Sequence, residues 1–329
     1  MSPISDSASE IIKMMEKARN QHMLVLLGTS GCGKTRTCFE VLCQQWGIYL
    51  TSRFKGLTAI ERHISSATLS CNGSPDCDRS RALAEHGTTC IVIAFLLILR
   101  HCISIDEGFS PLKWLLLQVA QKSFSERYGH TGEDIFSVLA SDLLNCPARE
   151  IYRFVKKVWV DCRDLLGYKV FPIILDEAQS LQHRLKNTFR STNNPNESRS
   201  LLSPVIRILR EPWPGVAESC VVPCGTGLGL LYLREHLESG IAKPQPPRHR
   251  FTDFGSWSGE DQVKKYTDTI IKFEDDQIKI LYKRFRGHFR PLVSCIEAIL
   301  TGLGFEERFG KLLRAERSME TVIYRSITS

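Results

Sequence analysis

Short, unbroken runs of apolar residues recur along the chain, and each is followed by a polar turn. The strongest are Met23–Leu27, the run from Val170 to Leu175, and the apolar part of Glu218–Gly227. Strands that are buried on both faces of a parallel sheet have continuous apolar sequences of this length. Gly47–Ser52 is a further strand candidate. The runs therefore predict a parallel β-sheet at the centre of the protein.

Apolar residues at helical spacing fill most of the sequence between these runs. They predict helices over residues 34–46, 85–103, 111–123, 133–144, 149–166 and 201–209, and a helical region from residue 260 onward. Gly287 and Pro291 interrupt that last region, so we expect one helix to stop near Arg286 and another to hold Pro291 in its first turn. One face of 149–166 is apolar, which predicts core packing for Ile151, Phe154, Val155, Val158, Trp159, Cys162, Leu165 and Leu166.

Polar stretches mark the expected loops and the domain boundary. Residues 53–88 are polar and contain a Gly-Ser-Pro turn at 73–75, so we interpret them as an insertion or long loop. Residues 187–200 have the composition of a solvated loop, and residues 242–250 form a proline-rich basic linker. We therefore predict an α/β core over 1–240, followed over 241–329 by the basic linker and a helical C-terminal lid.

Composition and charge narrow the class of protein. Of the 329 residues, 43% are hydrophobic and 24% are charged, as in globular proteins with a large core. The net charge of +7 permits contact with nucleic acid or anionic surfaces without requiring it. The most apolar run, Cys90–Leu99, is too short to cross a bilayer, so we expect a buried helix and no membrane association.

Cysteine usage favours a reducing intracellular compartment, cytoplasmic or nuclear. Twelve cysteines lie at scattered spacings that do not form a disulfide framework. Cys71, Cys77, His86 and Cys90 have the residue types of a zinc site, but their spacing is irregular and includes no Cys-x-x-Cys pair. The pattern favours ordinary cysteines over a zinc site.

Residues 28–35, with the sequence GTSGCGKT, match the pattern G-x-x-x-x-G-K-[ST] of phosphate-binding loops. We call this segment the glycine loop. Its glycines allow a tight turn in which consecutive backbone N–H groups point at phosphate oxygens. The predicted helix that follows aims its positive end at the same point. The glycines are Gly28, Gly31 and Gly33, and the residues that mainly offer backbone amides are Thr29, Ser30 and Cys32.

Four further side chains complete the prediction of a nucleotide and metal site. Lys34 would reach the β- and γ-phosphates, and the hydroxyl of Thr35 would ligate Mg²⁺. Asp176 ends an apolar run, a position from which a carboxylate orients the coordination shell of Mg²⁺. Glu177 comes next and would polarise a water molecule aimed at the γ-phosphate. The sequence contains no N-K-x-D guanine-reading motif, which favours ATP as the nucleotide.

Other polar residues are candidates for contacts with the terminal phosphate. Thr226 follows the third apolar run and would sense the γ-phosphate from the strand tip. Arg290, at the start of a predicted helix, would stabilise transition-state charge, and Arg286 competes for that role. Arg248 and Arg250 would supply such positive charge to the site of their own chain or to a site across a subunit interface. Surface charge is the competing explanation for all four arginines.

The order of these motifs resembles AAA+ and STAND-type ATPases, and more closely the P-loop NTPase module of Crinkler-type effector proteins. The shared segments, over about residues 20–305, are GTSGCGKTRTCFEVL, ILDEAQ, GTGL, PPRHRF and RGHFRP. The resemblance implies an ATPase switch module of a kind that often accompanies a nuclease-like domain and acts on DNA in the nucleus. It also implies a secreted effector that is delivered into a host cell. No Glu-x-Lys tripeptide occurs in this sequence, so the usual restriction-type nuclease signature is absent.

These expectations combine into a three-layer α/β/α P-loop NTPase that binds and hydrolyses ATP with Mg²⁺. One alternative is a nucleotide-gated interaction module with little hydrolysis, whose ATP-bound conformation a partner reads. The other is a DNA-binding AAA+-like ATPase. It is suggested by two basic stretches, 243–250 and 283–290. The sequence is compatible with self-association and with a DNA or protein partner.

Overall fold

The structure is a computed structural model that describes residues 5–18, 23–69, 77–120, 134–166, 170–190, 196, 198–210, 219–226, 249–254, 257, 259–285 and 289–300. The chain forms two compact units. The first comprises residues 1–29 and 34–253, and the second comprises residues 30–33 and 254–329. The domain boundary that the sequence predicts at residues 240 and 241 lies outside the described residues.

Five strands of the described chain form a sheet in which every neighbouring pair is parallel. The strands in the described part of the chain are β1 Leu24–Leu27, β2 Ile48–Thr51, β3 Phe171–Asp176, β4 Phe189–Arg190, β5 Ser198–Arg199, β6 Ser219–Gly225 and β7 His249–Phe251. The sheet has the order β2, β3, β6, β1, β7. The predicted mixed α/β fold with a central parallel sheet is therefore confirmed.

Parallel pairing brings the carboxyl ends of the strands to one edge of this sheet. Thr51 lies beside Asp176, and Leu27 lies beside Gly225. The amide of Gly28 also donates a 3.3 Å hydrogen bond to the carbonyl oxygen of Gly225, which joins the ends of β1 and β6. Open α/β sheets bind their ligands at this carboxyl edge. The glycine loop and Asp176 thus emerge at the edge where a ligand is expected.

Helices cover both faces of the sheet. The helices described in the first unit are α1 Asp6–Lys17, α2 Lys34–Gln44, α3 Lys55–Leu69, α4 Cys77–Ile105, α5 Pro111–Val119, α6 Ile135–Leu144, α7 Ala148–Leu166 and α8 Leu202–Arg210, with a 3-10 helix at Ala178–His183. Successive strand residues face opposite sides. Val25 and Leu27 accordingly join the large core around α4, whereas Leu24 and Leu26 are buried on the other side.

The helix α4 is the centre of one helical layer and contacts α3, α6, α7 and α8. The apolar run 90–99 lies within it, and residues 86–96 are all buried. By length and apolar composition alone α4 passes the test for a membrane-spanning helix, and the buried core helix of a soluble protein passes the same test. On the opposite layer α2 contacts α1 and α5.

Two predictions from polar composition are wrong. Of the insertion or long loop predicted for residues 53–88, the long loop is wrong, because α3 and the first turns of α4 occupy most of this range. Leu57, Ile60 and Ile64 bury one face of α3, and this helical spacing outweighs the polar composition around them. The solvated loop predicted for residues 187–200 contains the antiparallel pair β4 and β5, strands too short for a sequence period to reveal.

The apolar face of α7 is only partly buried. Ile151, Val155 and Val158 are in the core as predicted. Phe154 and Leu165, which the same pattern assigns to the core, are 40% and 53% exposed. Both lie at the margins of the apolar face, where spacing alone does not determine whether a neighbouring element covers a side chain.

The second unit has a small helical core of its own. Its described residues form the helices α9 Glu260–Thr267, α10 Asp275–Phe285 and α11 Phe289–Leu300. Val263, Leu281 and Leu292, one from each helix, are fully buried in it. The predicted break in the C-terminal helical region falls between α10 and α11, and Pro291 is in the first turn of α11 as expected from its fixed φ.

Candidate functional site

The glycine loop follows β1 and leads directly into α2. Gly31 has a φ of 80° and Gly33 a φ of 97°, values at which a Cβ atom would strain the backbone. These two glycines therefore allow a path that other residues adopt only at a cost in free energy. Cys32 lies between them and is 8% exposed. The side chains of Thr29 and Ser30 are exposed.

Lys34, the first residue of α2, is buried, with only 5% of its surface exposed. Its ammonium donates hydrogen bonds to the carbonyl oxygens of Gly28 at 2.9 Å and Thr29 at 2.7 Å. A buried ammonium requires such partners because losing its hydration is costly. Both acceptors are neutral, so an anion at the loop offers the same ammonium a charged and therefore stronger acceptor.

Asp176 is the residue toward which the described side chains at this edge converge. It is 4% exposed, and three donors satisfy its carboxylate. The hydroxyl groups of Thr35 and Tyr49 donate to Oδ2 at 2.8 and 2.7 Å, and the amide of Glu177 donates to Oδ1 at 3.0 Å. The structure thus brings together Thr35 and Asp176, the two residues that sequence spacing identifies as metal ligands.

Tyr49 is a member of the site that sequence reasoning missed. Burial, together with the charge of Asp176 and the hydrogen bond to it, raises the pKa of the Tyr49 phenol well above its ordinary value. The phenol therefore stays protonated and acts as a hydrogen-bond donor. Its only signal in the sequence is a hydroxyl-bearing aromatic side chain in a short strand that also contains Ile48 and Leu50. Which carboxylate it would meet depends on the pairing of β2 with β3.

Two thiols lie close to the same carboxylate. A hydrogen bond with Cys38, burial and the proximity of Asp176 raise the pKa of Cys224 well above its ordinary value. Both cysteines are fully buried, and they are unpaired by a disulfide. The thiol of Cys224 therefore stays neutral and poorly nucleophilic. Cys38 and Cys224 thus belong to the buried surroundings of the site.

Glu177 has an unusual backbone conformation for a residue with a side chain. Its φ of 53° and ψ of 37° lie in the left-handed region. Its side chain is exposed, and the Nε2 group of Gln179 donates a short hydrogen bond to its Oε2 atom. The Oε1 atom of Gln179 is buried without a hydrogen-bond partner. The carboxylate of Glu177 is therefore at the surface, one residue beyond Asp176, and is held by a neighbouring amide.

The remaining predicted site residues are only partly described. Thr226 follows β6 directly and is half-buried at the carboxyl edge of the sheet. Arg250 is exposed on β7, where it lies beside Val25. Arg290 lies in the first turn of α11. Arg248 and Arg286 lie outside the described residues.

The oxygen atoms at this site fit Mg²⁺ in company with phosphates. Among the described residues, no group of three or more His, Cys, Asp and Glu side chains forms a metal cage. Mg²⁺ does not need one, because it is usually bound by one or two protein oxygens together with phosphate oxygens and water. Thr35 and Asp176 would supply these protein oxygens. The zinc alternative gains no support in this part of the chain, where His86 and Cys90 adjoin within α4.

Comparison with known proteins does not identify a family. A scan against protein-family models found no match. A search of curated proteins found no significant match either. The functional conclusion for this chain therefore follows from the residues at the carboxyl edge of its sheet and from their contacts.

Proposed function

We propose that this protein is a Mg²⁺-dependent P-loop ATPase, a switch module similar to those of Crinkler-type effectors and of AAA+ and STAND ATPases. The observation that carries the proposal is the 2.8 Å hydrogen bond between Thr35 and Asp176, which are 141 positions apart. A glycine loop alone suits any phosphate. A loop hydroxyl bonded to a buried carboxylate also suits the metal ion that accompanies a nucleoside triphosphate.

Each residue of the glycine loop has a role in this proposal. The loop amides and the N-terminus of α2 bind the triphosphate tail, because their N–H groups and the positive end of the helix dipole attract anionic oxygens. Lys34 exchanges its neutral carbonyl acceptors for β- and γ-phosphate oxygens. Thr35 and Asp176 hold Mg²⁺, which when bound offsets the charge that develops on the transferred phosphoryl group.

Glu177 is the proposed general base. Its exposed carboxylate lies one residue beyond the buried Asp176, so it accepts a proton from a water molecule aimed at the γ-phosphate. Thr226, after β6, is the proposed contact to that phosphate. Arg290 or Arg286 is the proposed source of the positive charge that stabilises the transition state, a contribution of about 10³-fold or more for a well-placed arginine.

ATP hydrolysis measured with Mg²⁺ and with EDTA tests the proposal. Wild-type protein is expected to hydrolyse ATP only with Mg²⁺. Glu177→Gln keeps the size of the side chain and loses its basicity, so it is expected to bind ATP while hydrolysis falls by about 10²–10⁴-fold. Repeating both measurements with DNA shows whether DNA stimulates turnover. Absence of hydrolysis under all conditions would refute the ATPase, whereas wild-type turnover by Glu177→Gln would refute only the assignment of the base.

A nucleotide-gated interaction module is the second candidate. The hydrogen bond from Gln179 to Glu177 favours it, because an occupied carboxylate is a weaker base. Single-turnover kinetics separate the two functions. A switch would bind ATP tightly and hydrolyse the bound ATP slowly, so that the chemical step and not product release would determine the turnover rate. DNA binding through phosphate contacts would add a steep fall of affinity with salt, and its absence would count against the DNA-binding alternative.

A further inference from the structure

The hydroxyl of Tyr49 and the hydroxyl of Thr35 donate to the same oxygen of Asp176. The donor–acceptor distances are 2.7 and 2.8 Å, and the shared acceptor is Oδ2. The other oxygen, Oδ1, accepts from the amide of Glu177 at 3.0 Å. A carboxylate with donors on both oxygens cannot rotate without breaking one of these bonds. Tyr49 therefore helps to fix the orientation in which Asp176 faces Thr35.

Tyr49 itself is held from several directions. It lies in β2, where it pairs with Ile174, two residues before Asp176. Its backbone amide donates to Oε1 of Gln118 at 2.8 Å. Its ring packs edge-on against Phe39, with 4.9 Å between the ring centroids. These contacts determine the direction of the phenol, so its hydroxyl is a rigid donor.

The hydroxyl needs an explanation because the ring alone would fill the same space. Tyr49 is buried, and a buried hydroxyl costs free energy unless it has a partner. Phenylalanine would pack against Phe39 without that requirement. The partner that the hydroxyl has found is the carboxylate that the proposed function assigns to the metal. Groups that hydrogen-bond to metal ligands orient those ligands and tune their affinity for the ion.

We propose that Tyr49 is a positioning residue for the Mg²⁺ site, which holds the Asp176 carboxylate toward Thr35 and thereby sets the affinity for the ion. The inference rests on the proposed function. It concerns the metal and not the phosphates, because Lys34 bonds to the carbonyl oxygens of Gly28 and Thr29 and not to Asp176 or Tyr49. Removing the hydroxyl should therefore weaken metal binding and leave metal-free nucleotide binding unchanged.

The test uses Mn²⁺ as the probe, because its free and bound forms are distinguished by electron paramagnetic resonance. Mn²⁺ is titrated into the protein saturated with a non-hydrolysable ATP analogue. Loss of a group that orients a metal ligand typically costs 10–100-fold in metal affinity, and Tyr49→Phe is expected to weaken Mn²⁺ binding by about this factor. Binding of the fluorescent nucleotide mant-ATP in EDTA is expected to match wild type.

Two further variants sharpen the test. Tyr266→Phe removes the same atom from a half-buried tyrosine of the second unit and is expected to bind Mn²⁺ like wild type. Gln118→Met keeps a side chain of similar length but removes the acceptor for the Tyr49 amide, so several-fold weaker Mn²⁺ binding is expected. If Tyr49→Phe did not fold, the Mn²⁺ affinity of Gln118→Met would test the positioning role instead.

The outcomes separate this inference from the proposed function. Weaker Mn²⁺ binding by Tyr49→Phe with unchanged mant-ATP binding in EDTA would support the positioning role. Wild-type Mn²⁺ affinity in Tyr49→Phe, or in Gln118→Met if it alone folds, would overturn it. An equal loss of metal and metal-free nucleotide binding would also overturn it, because it would indicate general disruption. If wild-type protein bound no Mn²⁺–nucleotide complex, the proposed function itself would fail.

Discussion

The left-handed backbone at Glu177 leads to a prediction about stability that is independent of any ligand. Its φ is 53° and its ψ is 37°. In this region the Cβ atom approaches the following carbonyl oxygen, at a cost of roughly 1–2 kcal/mol. Asparagine is found there several-fold more often than most residues, because its short side chain bonds to the local backbone. Replacing Glu177 with asparagine should therefore relieve part of the strain.

Glu177→Ala is the matched reference for this change. Alanine and asparagine both remove the hydrogen bond between Gln179 and the Glu177 carboxylate, and both keep a Cβ atom, but only asparagine bonds to the backbone. A several-fold preference corresponds to about 0.5–1 kcal/mol. A domain of roughly 150–250 residues shifts its unfolding midpoint by about 2–4 °C per kcal/mol. Glu177→Asn is thus expected to unfold about 1–4 °C above Glu177→Ala.

The assay is thermal unfolding without nucleotide or metal, followed by ATP hydrolysis with Mg²⁺. Hydrolysis should fall by about 10²–10⁴-fold in both variants, since neither has a carboxylate to act as the base. The asparagine variant would then be the more stable of two nearly inactive proteins, as expected when strain persists at a functional position. Equal midpoints would refute the strain argument. Hydrolysis at the wild-type rate in either variant would refute the role of Glu177 while leaving the stability result intact.

Three other substitutions test the loop and the sheet edge. Lys34→Ala should abolish nucleotide binding in calorimetry, and unchanged affinity would contradict its role. Gly33→Ala places a Cβ at φ 97° and should cost roughly 1–2 kcal/mol, seen as a lower thermal midpoint. Gly108→Ala lies outside the left-handed region, and its Cβ atom would meet the exposed side chain of Asp106 at 3.3 Å, which can shift. It should lower the midpoint less than Gly33→Ala does, and equal effects of the two substitutions would refute the strain argument. Trp114→Phe removes a buried 2.6 Å hydrogen bond to the carbonyl of Gly47 and should cost about 1 kcal/mol in urea unfolding; an unchanged midpoint would contradict this.

The parts of the molecule that follow from local sequence were predictable. Buried parallel strands have continuous apolar runs, so the sequence alone predicts β1, β3 and β6. The edge at which Asp176 and the glycine loop meet also followed, because parallel strands place their carboxyl ends together. The observed distance of 2.8 Å between Thr35 and Asp176 agrees with that reasoning.

The parts that depend on distant contacts were not predictable. The exposure of Phe154 and Leu165 depends on what covers the margins of α7. The left-handed conformation of Glu177 has no signature in its residue type, since glutamate is not favoured there. In each case the missing information is the identity of a neighbour in space.

The direction of the Tyr49 phenol also depends on contacts that are distant in sequence. Side chains of a strand alternate between faces, so a slip of one residue in the pairing of β2 with β3 would turn the phenol away from Asp176. The register is held in part by the amide of Ser52, which donates to the carbonyl oxygen of Asp176 at 3.0 Å. On the outer edge of β2, α5 holds it as well. Gln118 accepts from the amide of Tyr49, and Trp114 donates to the carbonyl oxygen of Gly47, the residue before the strand. A helix remote from the glycine loop in sequence therefore helps to determine where the proposed metal ligand points.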